Sequence, residues 1–277
     1  MTILAAIFLK WKPLRSLQTC YKILSCLSLS RCLYLLSCIF FYAILVFHPW
    51  VRLDMAFATA MLAGIMFLYC SNLWFAAVLC VFYCVKITSY NNKFWIFLKM
   101  KICRRVSWFL LASLLISVSS TLPFSFYVYA LESHNLFNST MENAAIHNKG
   151  LIINIQKQLL MFLVGSCPPF LICCITICWL LHSLWMHTRH MRSSVSGFRA
   201  PNLQSHFSAV KSMSLFLVLQ IINFILPNVQ LSGKLYYKIL EWVLPIIICS
   251  SIFVHSLYII FSNSDLKKTC LSMLHTI

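Results

Sequence analysis

The sequence predicts an all-α, polytopic membrane bundle, and three observations carry the prediction. Of 277 residues, 61% are hydrophobic and only 10% charged, more apolar surface than a water-facing fold of this length can hide. Six apolar runs each hold the roughly twenty residues that a helix needs to cross the hydrocarbon core. Charge is sorted between the two sides of those runs. Taken alternately, one side collects Lys10, Lys12, Arg15, Lys22, Lys86, Lys93, Lys99, Lys101, Arg104, Arg105, Arg189, Arg192, Arg199, Lys211, Lys267 and Lys268 against the single acid Asp265. The other side holds Arg52, Lys149, Lys157, Lys234 and Lys238 against Asp54, Glu132, Glu142 and Glu241. That is the positive-inside bias, and it predicts a cytoplasmic C-terminus. Basic loops also sit well against an anionic inner leaflet, so the +17 formal charge points to the lipid bilayer and not to nucleic acid.

The elements follow in order. Met1 to Leu9 are mostly apolar but precede Lys10-Trp11-Lys12, and as a helix they would reach only about 13 Å, under half the hydrocarbon thickness. They lack the basic start and small-residue cleavage site of a signal peptide. The expectation is a seven-helix receptor type of bundle with its first helix mostly missing and six complete spans, about 22–47, 56–86, 106–129, 159–185, 211–230 and 239–261. A cytoplasmic tail follows at 262–277, and the whole chain, 1–277, forms one transmembrane domain. Outer connections are short at 48–55 and 231–238 and longer at 130–158, while the inner ones at 87–105 and 186–210 are basic. Trp50, Trp95, Trp108, Trp185 and Trp242 mark span ends, where amphipathic rings anchor at the interface.

Composition also bounds the chemistry. Most of the fourteen cysteines lie inside apolar runs, where they act as small apolar residues; their spacing predicts neither a structural disulfide nor a metal site. Five acids leave no carboxylate pair, five glycines build no phosphate-cradling loop, and the nine histidines are scattered. The chain is not expected to be an enzyme or to carry a cofactor.

Some residues stand out. Arg31 lies mid-span with Ser28 and Ser30 nearby; an intramembrane charge faces the bundle interior, as a switch node or as a static polar contact. Leu62, Ile65, Met66 and Tyr69 fall at i, i+3, i+4 and i+7, one stripe of the outer half of their helix. The stripe suits a cavity wall and ordinary helix packing alike. Glu241 stands at the outer end of the last span, placed to attract cationic ligands or simply to start a solvated helix. Pro245, one turn deeper, is positioned to kink that helix. Asn138-Ser139-Thr140 is a glycosylation sequon in the longest outer loop.

Four ordered stretches resemble the type 2 (bitter) taste receptor family. Leu24-Ser25-Cys26-Leu27-Ser28-Leu29-Ser30-Arg31 is similar to the family's second-helix pattern. Leu73-Trp74-Phe75 through Phe82-Tyr83-Cys84-Val85-Lys86-Ile87 resembles its third-helix ending, Phe-Tyr-x-x-Lys-Ile. His187, Met191, Gly197-Phe198-Arg199, Pro201, His206 and Ala209-Val210-Lys211 are similar to its third inner loop. His255-Ser256-Leu257-Tyr258 with Asn263 and Leu266-Lys267 resembles its last-helix ending. Ala200 replaces the acid usual before Pro201, and the first-helix Asn that partners the equivalent of Arg31 is absent.

The resemblance implies a G-protein-coupled receptor for small bitter organic molecules at the plasma membrane. In it the Leu62–Tyr69 stripe lines the ligand pocket, with the Tyr69 hydroxyl meeting the ligand, and Arg31 links to the last helix near His255 and Ser256. Tyr83, Lys86, His206 and Lys211 would face a gustducin-type heterotrimeric G protein, which inserts a helix into an opened cleft; receptor oligomers are possible. The alternatives are a vomeronasal-type pheromone receptor, against which the Phe82-Tyr83-x-x-Lys86 and His255-Ser256 pairs argue, and a non-signalling truncated remnant. An ordinary rhodopsin-like receptor would carry Asp-Arg-Tyr and Asn-Pro-x-x-Tyr, which this sequence lacks. A transporter or channel would show internal repeats, Gly-Pro breaks or several buried acids.

Overall fold

The computed structural model describes residues 19–47, 55–87, 102, 105–123, 125–126, 144–194, 202–231 and 238–262. All of them are helical. The helices are α1 (Thr19–Phe47), α2 (Met55–Ile87), α3 (Arg105–Pro123), α4 (Ala144–Ser194), α5 (Asn202–Leu231) and α6 (Lys238–Ser262). Four stretches are long and apolar enough to cross a bilayer: Tyr21–Ile44, Phe57–Lys86, Arg105–Pro123 and Phe162–Ser183. Ser214–Val229 and Val243–Tyr258 are shorter apolar stretches of α5 and α6.

Neighbouring helices pack in sequence, α1 on α2, α2 on α4, α4 on α5 and α5 on α6, and α1 also meets α6. Helix α2 is the most enclosed, and its buried residues belong to two clusters. Towards the basic end, Ile23, Leu24 and Leu27 of α1 pack with Phe82 and Val85 of α2, Val106 of α3 and Ile177 of α4. Towards the other end, Tyr34 and Cys38 of α1 pack with Ile65 and Tyr69 of α2, Phe162 of α4, and Ile248 and Ile252 of α6. Outward faces remain as apolar as the core, with Phe40, Leu115, Ile175 and Ile246 exposed. A helix apolar all round suits lipid outside and protein inside.

Helix α3 is the peripheral member. Its buried stripe, Val106, Leu110, Ser113, Ser117 and Thr121, is largely hydroxylic. Ser113, Ser117 and Thr121 each donate to the carbonyl four residues back, at 2.7, 2.8 and 2.7 Å. Gly165 lets α4 approach this face closely: a Cβ there would stand 3.0 Å from Ser120 Cβ and 3.6 Å from Cys70 Sγ.

Two connections differ from the sequence expectation. The segment 130–158, expected as an outer connection, is helical from Ala144 onward, and α4 runs on to Ser194. The basic loop expected at 186–210 is helical at both ends, because α5 already begins at Asn202. Hydropathy marks where lipid ends; a helix needs only its own backbone bonds, so polar residues such as Gln156 and Lys157 continue it outside the membrane. His206 and Lys211 therefore stand on the first turns of α5, not in a loop.

Candidate functional site

At the end of the bundle away from the basic connections, five helices enclose a cavity of about 280 Å³. Helix α2 contributes Leu62, Ile65, Met66 and Tyr69, all four members of the predicted stripe. Helix α1 adds Tyr34, Cys38, Phe41 and Tyr42, α4 adds Phe162, and α5 adds Pro227. Pro245, Ile248 and Cys249 complete the wall from α6. Among the described residues, no Lys, Arg, His, Asp or Glu lines it. Such a wall favours uncharged, aromatic-rich guests, because an ion would lose its hydration with nothing to replace it.

One wall is an aromatic row running through three helices. Tyr69 stacks on Phe162, centroids 5.3 Å apart and planes at 22°, and lies tilted against Tyr34 at 6.3 Å and 47°. The Tyr69 hydroxyl is already engaged: buried with its residue only 4% exposed, it donates to the Asn223 carbonyl of α5 at 2.9 Å. The chain itself explains that bond. Pro227, inside α5, has no N–H to offer the carbonyl four residues back, which is that of Asn223. Tyr69 supplies the missing donor. The Tyr69 ring faces the cavity, while its hydroxyl proton braces the proline turn.

Deeper in the bundle lies a polar layer. The Asn223 side-chain oxygen accepts a short hydrogen bond from Ser251 of α6. Arg31, 6% exposed, donates from Nη1 to Ser256 Oγ at 3.3 Å, linking α1 to α6. Next to Arg31 along α1, Ser30 donates to Asn72 Oδ1 of α2 at 2.7 Å. On the basic side of this layer, Gln220 Nε2 of α5 donates to Cys173 Sγ of α4 at 3.8 Å.

The remaining sequence candidates are dispersed. Tyr83 is half-buried and edge-on to Phe82, and exposed Lys86 folds back over the Phe82 ring at 5.7 Å, both at the basic end. The side chains of His206, Lys211, Glu241 and His255 lie outside the described residues, as does Asn138 altogether.

Sequence reasoning missed the α1, α4 and α5 contributions. Tyr34, Cys38, Phe41 and Tyr42 do recur at i, i+4, i+7 and i+8, but α1 is apolar all round and nothing singles out that face. Pro227 carried a usable signal: a proline inside an apolar span orphans a carbonyl, and a buried Tyr or Ser elsewhere must satisfy it.

A second cavity of about 280 Å³ lies between α2, α3 and α4, lined by Val78, Val81, Phe109 and Ile116 among others. Trp74 also lines it, and its buried Nε1 has no partner among the described residues.

Comparison with known proteins agrees with this architecture. The sequence profile of the taste receptor protein (TAS2R) family matches residues 1–277. The chain is 32% identical over 210 residues to taste receptor type 2 member 40 of Gallus gallus, covering 76% of this chain and 68% of the relative. It is 35% identical over 212 residues to taste receptor type 2 member 9 of Macaca mulatta, covering 74% and 65%. It is 31% identical over 206 residues to taste receptor type 2 member 39 of Mus musculus, covering 73% and 63%. The chain spans about two thirds of the length of these curated relatives. With its helical bundle and a match over its whole length, the chain belongs to the type 2 taste receptors, the bitter taste receptor family.

Proposed function

We propose that this chain binds small, uncharged, aromatic-rich bitter compounds in the cavity between α1, α2, α4, α5 and α6, and thereby activates a heterotrimeric G protein of the gustducin type. The observation that supports this reading is convergence. A four-residue stripe of α2 and Pro245, nominated from sequence, share one apolar cavity with an aromatic row and a second proline. The positive-inside bias supports an orientation with this cavity outside and Lys86 on the cytoplasmic side, which suits a receptor at the plasma membrane with its C-terminus inside. Ligand binding favours the active arrangement only through a difference in affinity between two states. The proline turns at 227 and 245, both in the cavity wall, are where α5 and α6 can respond to a guest. Asn138 would carry glycan on the same outer side.

The test is calcium imaging of cells co-expressing the chain and a gustducin-like G protein, challenged with a panel of bitter compounds. A response from the native chain that disappears in Met66→Trp, with surface expression retained, is expected. A response that survives cavity filling would refute the assignment of the site. Silence of the native chain at normal surface density, across the panel, would refute the signalling function.

A further inference from the structure

Two thiols of the cavity wall face each other. Cys38 of α1 and Cys249 of α6 both line the cavity and pack in the same cluster, close enough for the two thiols to interact. Cys38 is 5% exposed, inside the cluster formed with Tyr34 and Tyr69, while Cys249 is half-buried and packs against that cluster. The two helices they belong to otherwise touch only lightly. Both cysteines are free.

A second pair makes the contrast. Cys80 of α2 and Cys173 of α4 also lie close together, and Cys80 is no more buried than Cys38, but this pair lines neither cavity. A small oxidant entering the cavity therefore reaches the first pair and not the second. The outer face of a cell-surface protein is also the oxidising one; that exposure rests on the orientation proposed above, whereas the chemistry of the pair does not.

We infer that Cys38 and Cys249 form a redox-active modification site, which hydrogen peroxide converts to a disulfide joining α1 to α6 beside the cavity. The more accessible Cys249 sulfur attacks one peroxide oxygen; the O–O bond breaks, the thiol proton leaves with the departing oxygen as water, and a sulfenic acid remains. The Cys38 sulfur then attacks the Cys249 sulfur, forming S–S as S–O breaks, and a second water leaves with the Cys38 proton. The two thiols are oxidised by two electrons and the peroxide is reduced to two waters. The product is uncharged and has no polar hydrogen, so the apolar wall accepts it without a desolvation penalty. It would pin α6 to α1 beside Pro245 and make occupancy of the cavity sensitive to oxidants.

The experiment uses the full chain purified in detergent, treated with hydrogen peroxide, blocked with N-ethylmaleimide, digested without reductant and read by mass spectrometry. The expected result is a Cys38–Cys249 linked peptide from monomeric protein, abolished by dithiothreitol, with the two thiols lost in equal amounts and Cys80 and Cys173 unlinked. In Cys38→Ser the reaction should stop at the first step, leaving a dimedone-trappable sulfenic acid on Cys249. Full alkylation of both cysteines after peroxide, loss of one without the other, or equal linkage of Cys80 to Cys173 would overturn the inference. Because the readout is covalent and both faces are open to detergent solution, failure of the receptor assay leaves this result interpretable on its own.

Discussion

Removing one oxygen from Tyr69 tests the link between α2 and the proline turn of α5. Tyr69→Phe keeps the ring that stacks on Phe162 at 5.3 Å and deletes the hydroxyl that donates to the Asn223 carbonyl at 2.9 Å. Pro227 cannot replace that donor, so a buried acceptor is left unmet, which destabilises by about 1–3 kcal/mol. For a chain of this size each kcal/mol moves the melting midpoint by about 2–4 °C, so a fall of roughly 2–12 °C is expected. Pro227→Ala returns an N–H to the same carbonyl and relieves a helix-interior proline, a gain of up to about 3 kcal/mol in propensity alone. In that background Tyr69→Phe should lower the midpoint by less than half as much, since the carbonyl already has a partner. The double-mutant cycle is read by thermal unfolding of detergent-purified protein with a thiol-reactive dye, which reports the buried cysteines as they emerge. An equal fall in both backgrounds would refute the reasoning, because the hydroxyl would then act through something other than the orphaned carbonyl.

Other perturbations follow from the same contacts. Ser256→Ala removes the acceptor 3.3 Å from the Arg31 guanidinium and should destabilise by about 2 kcal/mol, seen as a lower melting midpoint with the cavity residues intact. Phe162→Ala hollows a 5%-exposed site and should destabilise by about 3–5 kcal/mol while admitting bulkier ligands, checked by melting and by a calcium dose–response series. Gly165→Val forces a branched side chain into space where even a Cβ stands 3.0 Å from Ser120 Cβ, a loss of about 1–3 kcal/mol visible as reduced surface expression. Ser120→Gly in the same chain should recover much of it; no recovery would place the clash elsewhere.

How far the sequence reached depends on the contrast each feature makes with its surroundings. The α2 stripe was legible as one helix face by its spacing, but its place in a cavity wall was implied only by the family resemblance. Arg31 was legible because a charge inside an apolar span demands a partner, but only the family resemblance pointed to the last helix near Ser256. The α1 wall was not, since Tyr34, Cys38, Phe41 and Tyr42 share their helix with equally apolar residues that face outward, such as Leu36 and Phe40. Lipid erases the inside–outside contrast that periodicity reads in water-soluble helices. The brace at Pro227 was half legible: the proline announces a missing donor, but only the packing of α2 on α5 identifies the replacement. The ends of α4 at 144 and 194 lie beyond the span expected at 159–185, because apolarity ends at the membrane while backbone hydrogen bonding does not.

The hydroxyls of α3 bear on how the protein is made. Ser113, Ser117, Ser119, Ser120 and Thr121 each donate to a carbonyl of their own helix, three or four residues back. Entering the bilayer from the translocon, α3 therefore brings no unmet hydroxyl donor from this row and can dwell in lipid alone. Helix α1 differs: Ser30 bonds both Leu27 of its own helix and Asn72 of α2, and the Arg31 guanidinium reaches Ser256 of α6. The Arg31–Ser256 bond forms only after the last helix has been synthesised. Insertion and assembly are thus separable for this chain: α3 carries its hydroxyl bonds within itself, while the Arg31–Ser256 bond waits for α6.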